Sequence, residues 1–191
     1  MKTINRRDFI KSTGLAAAGI GLSGLNIPLI FANGSPNRKI VVAVAGVNSR
    51  GNHLAKLFAQ MPDCEIGYIC DVDERAMNKT IKGISTLQTR KPKGIKDFRK
   101  ALEDKGVDVL INAMPDHWHA PGTIIACSMD KHVYVEKPIS HNPNEGEMVI
   151  KAARKYNRIV QMGSQRRSGS GIIQMISDIR SGIIGCLLYT S

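Results

Sequence analysis

Short apolar segments alternate with helical patterns along most of this chain, beginning at Lys39. Val and Ile dominate the apolar segments, as expected for strands that a sheet buries on both faces. The expected strands are residues 39–45, 64–70, the end of 91–95, 108–113, 132–135 and 158–162. Six strands with intervening helices predict an α/β fold built on a doubly wound parallel sheet.

Helix starts can be predicted from capping residues. Asp73 and Asp97 each precede a helical pattern and are expected to cap it. Asn142, Pro143 and Glu145 combine an Asn cap, a Pro at the first helical position and a Glu at the third. The side chains expected to face the sheet are Leu54, Leu57, Phe58 and Met61 in the first helix, Ala76 and Ile81 in the second, and Phe98 and Leu102 in the third.

The composition is that of a globular protein, with 42% hydrophobic and 5% aromatic residues. The formal net charge is +11, and residues 1–39 hold six Lys or Arg against Asp8 alone. Many of the other basic residues lie between Lys79 and Lys105, where they match the solvated faces of two helices. No nucleic-acid motif accompanies them, so we expect no nucleic-acid partner.

The cysteines indicate neither a metal site nor a disulfide framework. They show no CxxC or Cys/His spacing, so we expect no metal ion. Cys64, Cys70 and Cys127 lie among apolar residues and are expected to be buried thiols, whereas Cys186 lies near the end of the chain.

A glycine-containing turn, Gly46-Val47-Asn48-Ser49-Arg50-Gly51, joins the first expected strand to the first helix. This context gives a dinucleotide-binding fingerprint its meaning, because the helix N-terminus offers backbone N–H groups to a pyrophosphate. Asn48 stands where the usual pattern has its middle glycine. Ser49 and Arg50 are candidate phosphate donors that would compensate, and an ordinary turn is the alternative.

Asp71 ends the second expected strand, 20 residues after Gly51. An acid at this place hydrogen-bonds the adenosine ribose hydroxyls and repels a 2′-phosphate, which favours NAD over NADP. The alternative is that Asp71 or Asp73 simply caps the next helix. We expect Asp71 to bind the cofactor and Asp73 to be the cap.

Two further motifs end strands at the edge where open α/β sheets bind ligands. The fourth strand leads into Met114-Pro115-Asp116-His117-Trp118-His119, and the fifth into Glu136-Lys137-Pro138. The residue before a proline is held extended, so Lys137 should project from the strand end. Its ammonium is suited to polarise a substrate hydroxyl or to transfer a proton.

Together these motifs resemble the glucose-fructose oxidoreductase/inositol dehydrogenase/MocA family, over residues 39–185. The motifs that carry the resemblance are Gly46–Gly51, Asp71, Met114–His119, Glu136-Lys137-Pro138 and Gln165-Arg166. It implies an N-terminal NAD-binding Rossmann domain followed by a second α/β domain with an open antiparallel sheet. An Asp and a His from that second domain, at positions not in this chain, would complete the site.

The resemblance also implies roles for individual residues. Lys137 is implied to be the catalytic lysine, with a cis bond to Pro138. The cofactor-binding residues expected from the motifs and the resemblance are Gly46, Asn48, Ser49, Arg50, Gly51, Asp71, Met114, Pro115, His119, Glu136, Lys137, Gln165 and Arg166.

The function so implied is an NAD-dependent oxidoreductase acting on a sugar, cyclitol or related carbinol, as a homo-oligomer in full length. One alternative is the glycosidase branch of the family, which oxidises a sugar transiently to cleave a glycosidic bond. That branch lacks a lysine at the position of Lys137. The other alternative is a non-catalytic NAD- or sugar-binding protein, because fold alone does not determine function.

Both ends of the chain carry segments that we exclude from the fold. Asn5-Arg6-Arg7-Asp8-Phe9-Ile10-Lys11 resembles a twin-arginine export signal, followed by an uncharged stretch from Gly14 to Ala32. We expect the twin-arginine machinery to export the protein to the periplasm or beyond, with an uncleaved membrane anchor as the alternative.

The expected domain organisation follows from these segments. Residues 1–35 are the leader and linker, 36–163 the NAD-binding domain and 164–185 the start of a truncated second domain. Residues 186–191 match one reading frame of a sequencing adapter, so we expect them to be foreign. A genuine strand at 186–189 is the alternative.

Overall fold

The computed structural model describes residues 38–183 and 185. The expected export signal and the expected foreign tail lie outside these residues. Among the described helices, none combines the length and apolar character that a membrane crossing requires.

Six parallel strands form one sheet in the order β3-β2-β1-β4-β5-β6. The strands are β1 (Ile40–Ala45), β2 (Cys64–Cys70), β3 (Lys93–Ile95), β4 (Val109–Asn112), β5 (His132–Glu136) and β6 (Val160–Gly163). Each expected strand is confirmed, and the bounds differ by no more than two residues. The order reverses between β1 and β4, which makes the crevice between these two strands the topological switch point of the sheet.

The first five helices connect successive strands and cover both faces of the sheet, whereas the sixth follows the last strand. They are α1 (Arg50–Ala59), α2 (Glu74–Ile84), α3 (Phe98–Leu102), α4 (His119–Ser128), α5 (Pro143–Lys155) and α6 (Ser170–Arg180), with 3-10 turns at Asp116–Trp118 and Gln165–Ser168. The expected caps are confirmed: Asp73, Asp97 and Asn142 each accept a hydrogen bond from a backbone N–H in the first turn of the following helix.

The alternating side chains of β1 separate two apolar cores. Val42 and Val44 pack with α1 and α2 on one face, while Ala43 and Ala45 pack with α3, α4 and α5 on the other. Both faces are therefore closed to water, which explains the nearly continuous Val and Ile of the central strands.

The face that α1 buries differs from the expected one. Leu54 and Phe58 face the sheet, but Leu57 is 41% exposed and Met61 is 46% exposed. Ala55 and Ala59 are buried instead and turn the inner stripe of the helix away from Leu57. Met61 follows the end of α1 at Ala59, so it does not share the helical periodicity.

Other expected core positions are confirmed. Ala76, Ile81, Phe98 and Leu102 are buried, and so are the free thiols of Cys64, Cys70 and Cys127. In contrast, α6 exposes the apolar side chains of Ile173, Met175, Ile176 and Ile179.

Candidate dinucleotide site

An open cleft of about 720 Å³ lies at the carboxyl edge of the sheet, at the switch point. The size is in the range of small-molecule sites. The residues that line it come from the loops after β1, β2, β3 and β4: Ala45, Gly46, Asn48, Ser49, Arg50, Cys70, Asp71, Val72, Lys96, Asp97, Phe98, Arg99, Ala113, Met114, Pro115, His117 and Trp118. Seven of the predicted site residues are therefore brought together at this cleft.

The turn after β1 requires glycine at two points. Gly46 has φ +81°, and a Cβ there would lie 2.5 Å from the carbonyl oxygen of Ala113. A Cβ on Gly51 would overlap the carbonyl oxygen of Gly46. The two glycines thus let the turn press against the end of β4 and let α1 begin directly beneath it.

The N-terminus of α1 lacks the side-chain cap found at α2, α3 and α5. Ser49, at the cap position, makes no capping hydrogen bond with its side chain, and the first turn holds no acidic residue. The first backbone N–H groups of a helix have no partner within it and carry partial positive charge. This end of α1 faces the cleft and is suited to an anion such as a pyrophosphate.

Asp71 lies half-buried in the cleft, directly after β2. Its Oδ2 accepts a hydrogen bond from Val47 N at 2.7 Å, and its Oδ1 accepts one from Asp73 N at 2.9 Å. These bonds aim the carboxylate between the two loops and leave lone pairs free on both oxygens. Asp73 is the cap of α2, because its side chain accepts from Arg75 N.

Cys70 also lines the cleft but adds no charge to it. Burial, reinforced by the negative charges of Asp97 and Asp71, raises the pKa of its thiol to about 12. The thiol therefore stays neutral near pH 7 and is a poor nucleophile. The acidic residues that line the cleft are Asp71 and Asp97.

The segment after β4 divides into a part that faces the cleft and a part that does not. Met114, Pro115, His117 and Trp118 line the cleft. His119, which we predicted to bind the cofactor, is only 2% exposed. Its Nδ1 lies 2.5 Å from the carbonyl oxygen of Pro138, and its Nε2 lies 2.8 Å from that of Met114. The ring is therefore directed at backbone carbonyls and joins the loops that follow β4 and β5.

The end of β5 presents Lys137 to solvent. Glu136 is 4% exposed, whereas Lys137 and Pro138 are exposed, and the bond between them is cis as the resemblance implied. Glu136 Oε1 accepts from Arg50 Nε at 2.8 Å, and Glu136 Oε2 accepts from Gln165 Nε2 at 2.5 Å. Lys137 is thus tied to the dinucleotide turn through its neighbour, although it does not line the cleft.

A family assignment follows once this geometry is compared with known proteins. The model of an oxidoreductase family described as "NAD-binding Rossmann fold", the Gfo/Idh/MocA family, matches residues 40–164. The chain belongs to this family. Residues 40–164 are therefore a Gfo/Idh/MocA NAD-binding domain.

Two curated relatives carry the names of glycosidases. A glycosyl hydrolase family 109 protein of Shewanella pealeana is 28% identical over 97% of this chain and 45% of its own length. An alpha-N-acetylgalactosaminidase of Shewanella oneidensis is 24% identical over 99% of the chain and 45% of its own length. The chain thus spans about half the length of the curated relatives it matches.

Solved structures show the same fold. The myo-inositol 2-dehydrogenase of Lactobacillus plantarum superposes with a TM-score of 0.67 at 19% identity, covering 78% of this chain and 43% of that one. The scyllo-inositol dehydrogenase of Lactobacillus casei, solved with NAD(H) and scyllo-inositol, superposes with a TM-score of 0.67 at 19% identity and covers the same shares.

The residues of the cleft fit NAD, the cofactor of the Gfo/Idh/MocA family. The glycine-lined approach between Gly46 and Ala113 and the uncapped start of α1 suit a pyrophosphate. Asp71 is placed to accept from ribose hydroxyls and to repel a 2′-phosphate.

Sequence reasoning missed the loop after β3. Lys96, Asp97, Phe98 and Arg99 all line the cleft, yet only capping and core roles were expected for this segment. The rule that ligands bind at the carboxyl ends of parallel strands applies equally to β3 and would have indicated it. The ring of Trp118 packs edge-on against that of Phe98, with centroids 6.1 Å apart, and closes this side of the cleft.

Gln165 and Arg166 follow β6 in the 3-10 turn Gln165–Ser168. The exposed Gln165 reaches Glu136, so it joins the group around the end of β5 and does not line the cleft. Seven of the predicted site residues therefore line the cleft, and Glu136, Lys137 and Gln165 lie around the end of β5, with Arg50 linking the two groups.

Proposed function

We propose that the full-length protein is an NAD-dependent oxidoreductase that acts on the CH–OH group of a sugar, cyclitol or related carbinol. The observation that carries the proposal is the position of Lys137, exposed at the carboxyl end of β5 and linked through Glu136 to Arg50 of the dinucleotide turn. An inositol dehydrogenase of the same fold, solved with NAD(H) and scyllo-inositol, supports the substrate class.

The chain's own residues supply binding and proton transfer. When bound, NAD accepts a hydride at its nicotinamide ring. In its neutral amine form, Lys137 would accept the proton of the substrate hydroxyl as the carbonyl forms. The O–H bond would then break toward the lysine and the C–H bond toward the cofactor. The α1 N-terminus would hold the pyrophosphate and Asp71 the adenosine ribose, so these residues would orient the cofactor relative to Lys137.

A glycosidase is the second candidate, favoured by the names of the curated relatives. In such an enzyme the oxidation of a sugar is transient and is reversed after the glycosidic bond breaks. Against it stands the family resemblance of the sequence, which implies that the glycosidase branch lacks a lysine at the position of Lys137.

Steady-state assays of the purified full-length protein separate these functions. We expect net NADH formation with a cyclitol or sugar from a panel of free carbinols. Replacing Lys137 by Ala should lower turnover at least roughly a hundredfold, as for a lost acid–base group, with the dissociation constant of NAD unchanged. Lys151→Ala, on the exposed face of α5, is the matched control and should be fully active.

Three other results would contradict the dehydrogenase. Release of the aglycone from an aryl N-acetylgalactosaminide without net NADH formation would establish the glycosidase. A Lys137→Ala protein of full activity would remove the lysine from the mechanism. Sugar binding in a protein that binds no NAD would indicate a non-catalytic scaffold.

We propose further that the protein is exported through the twin-arginine route to the periplasm or beyond. The support is the motif at Asn5–Lys11 and the uncharged segment after it. Because this route carries folded cargo, NAD would be loaded before export. Changing Arg6 and Arg7 together to Lys should leave the precursor in the cytoplasm, as measured by cell fractionation. Unaltered export of that double variant would refute the route.

A further inference from the structure

The carboxylate of Glu136 is the most completely buried acidic group at the carboxyl edge of the sheet among the described residues. The residue is 4% exposed, and each carboxylate oxygen has a partner on a different element. Oε1 accepts from Arg50 Nε at the start of α1, at 2.8 Å, and Oε2 accepts from Gln165 Nε2 after β6, at 2.5 Å. A carboxylate buried to this degree is stable only when it is paired and hydrogen-bonded.

Arg50 occupies a position where a cation needs compensation. It is the first residue of α1, and the positive end of the helix dipole disfavours a guanidinium there. No acidic residue of the first turn offsets it. Glu136, 86 positions away in the sequence, supplies the missing negative charge.

The backbone on both sides of Lys137 is held by hydrogen-bonding contacts. Its backbone N–H points at Glu136 Oε2 at 3.4 Å. On its other side, the carbonyl oxygen of Pro138 lies 2.5 Å from the ring of the buried His119. The backbone that carries the lysine is therefore fixed by a carboxylate that also holds the dinucleotide turn.

We infer that Glu136 is a positioning residue that locks the start of α1 to the end of β5, and that Arg50 serves this lock in place of binding the cofactor phosphates. The dinucleotide turn and Lys137 then move as one body, so the nicotinamide end of a bound cofactor keeps its distance from the lysine. The inference rests on the proposed function only for the role of Lys137. The lock itself is the contact between Glu136 and Arg50 within the chain, which does not depend on that function.

A double-mutant cycle on NAD affinity tests the lock in the 191-residue chain. The variants are Glu136→Gln, Arg50→Met and their combination, with dissociation constants measured by calorimetry. We expect each single change to weaken NAD binding roughly three- to thirtyfold, a range typical of coupled neighbours, and the double variant to be no weaker than the weaker single one. Glu147→Gln with Lys151→Met, an exposed ion pair on α5, is the control and should leave the affinity unchanged.

The alternative roles of Arg50 give different results. If Arg50 binds the phosphates, Glu136→Gln releases it and NAD binding becomes tighter, while Arg50→Met weakens binding in either background. Additive effects, or no effect in any variant, would equally overturn the lock. Should Arg50→Met fail to fold, Arg50→Lys keeps the charge near Glu136, and the lock predicts an affinity between those of the parent and Glu136→Gln.

Turnover of the full-length protein adds a separate measurement. Glu136→Gln should lower kcat at saturating NAD and substrate by more than it raises KM, because a displaced Lys137 affects the chemical step. If the protein oxidises no carbinol, the proposed function fails, but the binding cycle still decides whether the lock exists. If the cycle is additive while the parent enzyme is active, the lock alone is wrong.

Discussion

At the scale of single residues, Asp71 serves the fold and the cleft with one carboxylate. Its oxygens accept from Val47 N and Asp73 N, which holds the loop after β1 against the loop after β2. The remaining lone pairs face the cleft, where ribose hydroxyls are the expected donors. A substitution of Asp71 therefore affects both the arrangement of the two loops and the choice between NAD and NADP. The ratio of the affinities for the two nucleotides separates these effects.

Replacing Asp71 by Ser should narrow the preference for NAD over NADP. The change removes a ribose acceptor and the repulsion of a 2′-phosphate, together about 1–3 kcal/mol, or roughly five- to hundred-and-fiftyfold in the affinity ratio. Calorimetric titration with both nucleotides measures the ratio. The control is Asp73→Ser, which retains a capping hydroxyl two residues away and should not change the ratio. Equal affinities of the unaltered chain for NAD and NADP would leave Asp71 with a structural role alone.

The role of a residue that depends on its own backbone geometry could be predicted from the sequence. The partner of a side chain that could bind any of several groups could not. Gly46 is such a predictable residue, because only glycine allows both its positive φ and the close approach of Ala113. Arg50 and His119 had several chemically reasonable partners. Their actual partners, Glu136 and the carbonyl oxygen of Pro138, lie 86 and 19 positions away and are brought near only by the fold.

At the scale of elements, helix starts were predictable because capping is local. The Asn142 side chain accepts from Glu145 N at 3.0 Å, and Glu145 returns a bond by accepting from His141 N at 2.9 Å. Both bonds form within five residues, so the sequence contains all that they require. The buried face of α1 could not be predicted from the local sequence, because Ala55 and Ala59 are buried only through the close approach of the sheet.

Changing Asn142 to Ala should lower the free energy of unfolding by about 1 kcal/mol. The loss arises because the N–H of Glu145 loses its partner while the rest of α5 is unaltered. Urea denaturation of the chain measures the difference. Asn144→Ala, in the same turn, removes no bond to the backbone and introduces a better helix former, so its stability should be equal or higher. A destabilisation as large at Asn144 would show that the cap of Asn142 is not the cause.

At the scale of the whole molecule, the alternation of strands and helices was enough to predict a doubly wound sheet, but not which strands are neighbours. The observed order β3-β2-β1-β4-β5-β6 places the turn after β1 beside the end of β4. This neighbourhood makes one cleft out of motifs that are about 65 residues apart in the chain. It also adds the loop after β3, whose residues carry no motif that would single them out.

Because the cleft is formed entirely by described residues of this chain, we expect the 191-residue chain to bind NAD without further segments. A ligand that binds only the folded state stabilises it by about 2.7 kcal/mol at a hundred times its dissociation constant. For a domain of this size that should raise Tm by about 5–10 °C in calorimetry. NADP should raise it less, because we expect Asp71 to repel the 2′-phosphate.

ADP-ribose, which lacks only the nicotinamide, should give most of the same shift, since the turn, the α1 N-terminus and Asp71 are expected to bind the part that it shares with NAD. Oxidation of a sugar requires bound substrate as well as bound cofactor. Holding a substrate against the cofactor contributes roughly 7–11 kcal/mol in favourable cases, and the chain covers only 45% of its curated relatives. We therefore expect no NADH formation from sugars or cyclitols by this chain alone. A Tm unchanged by saturating NAD would show that the cleft needs residues outside the chain, whereas steady NADH formation would show that the chain already holds its substrate.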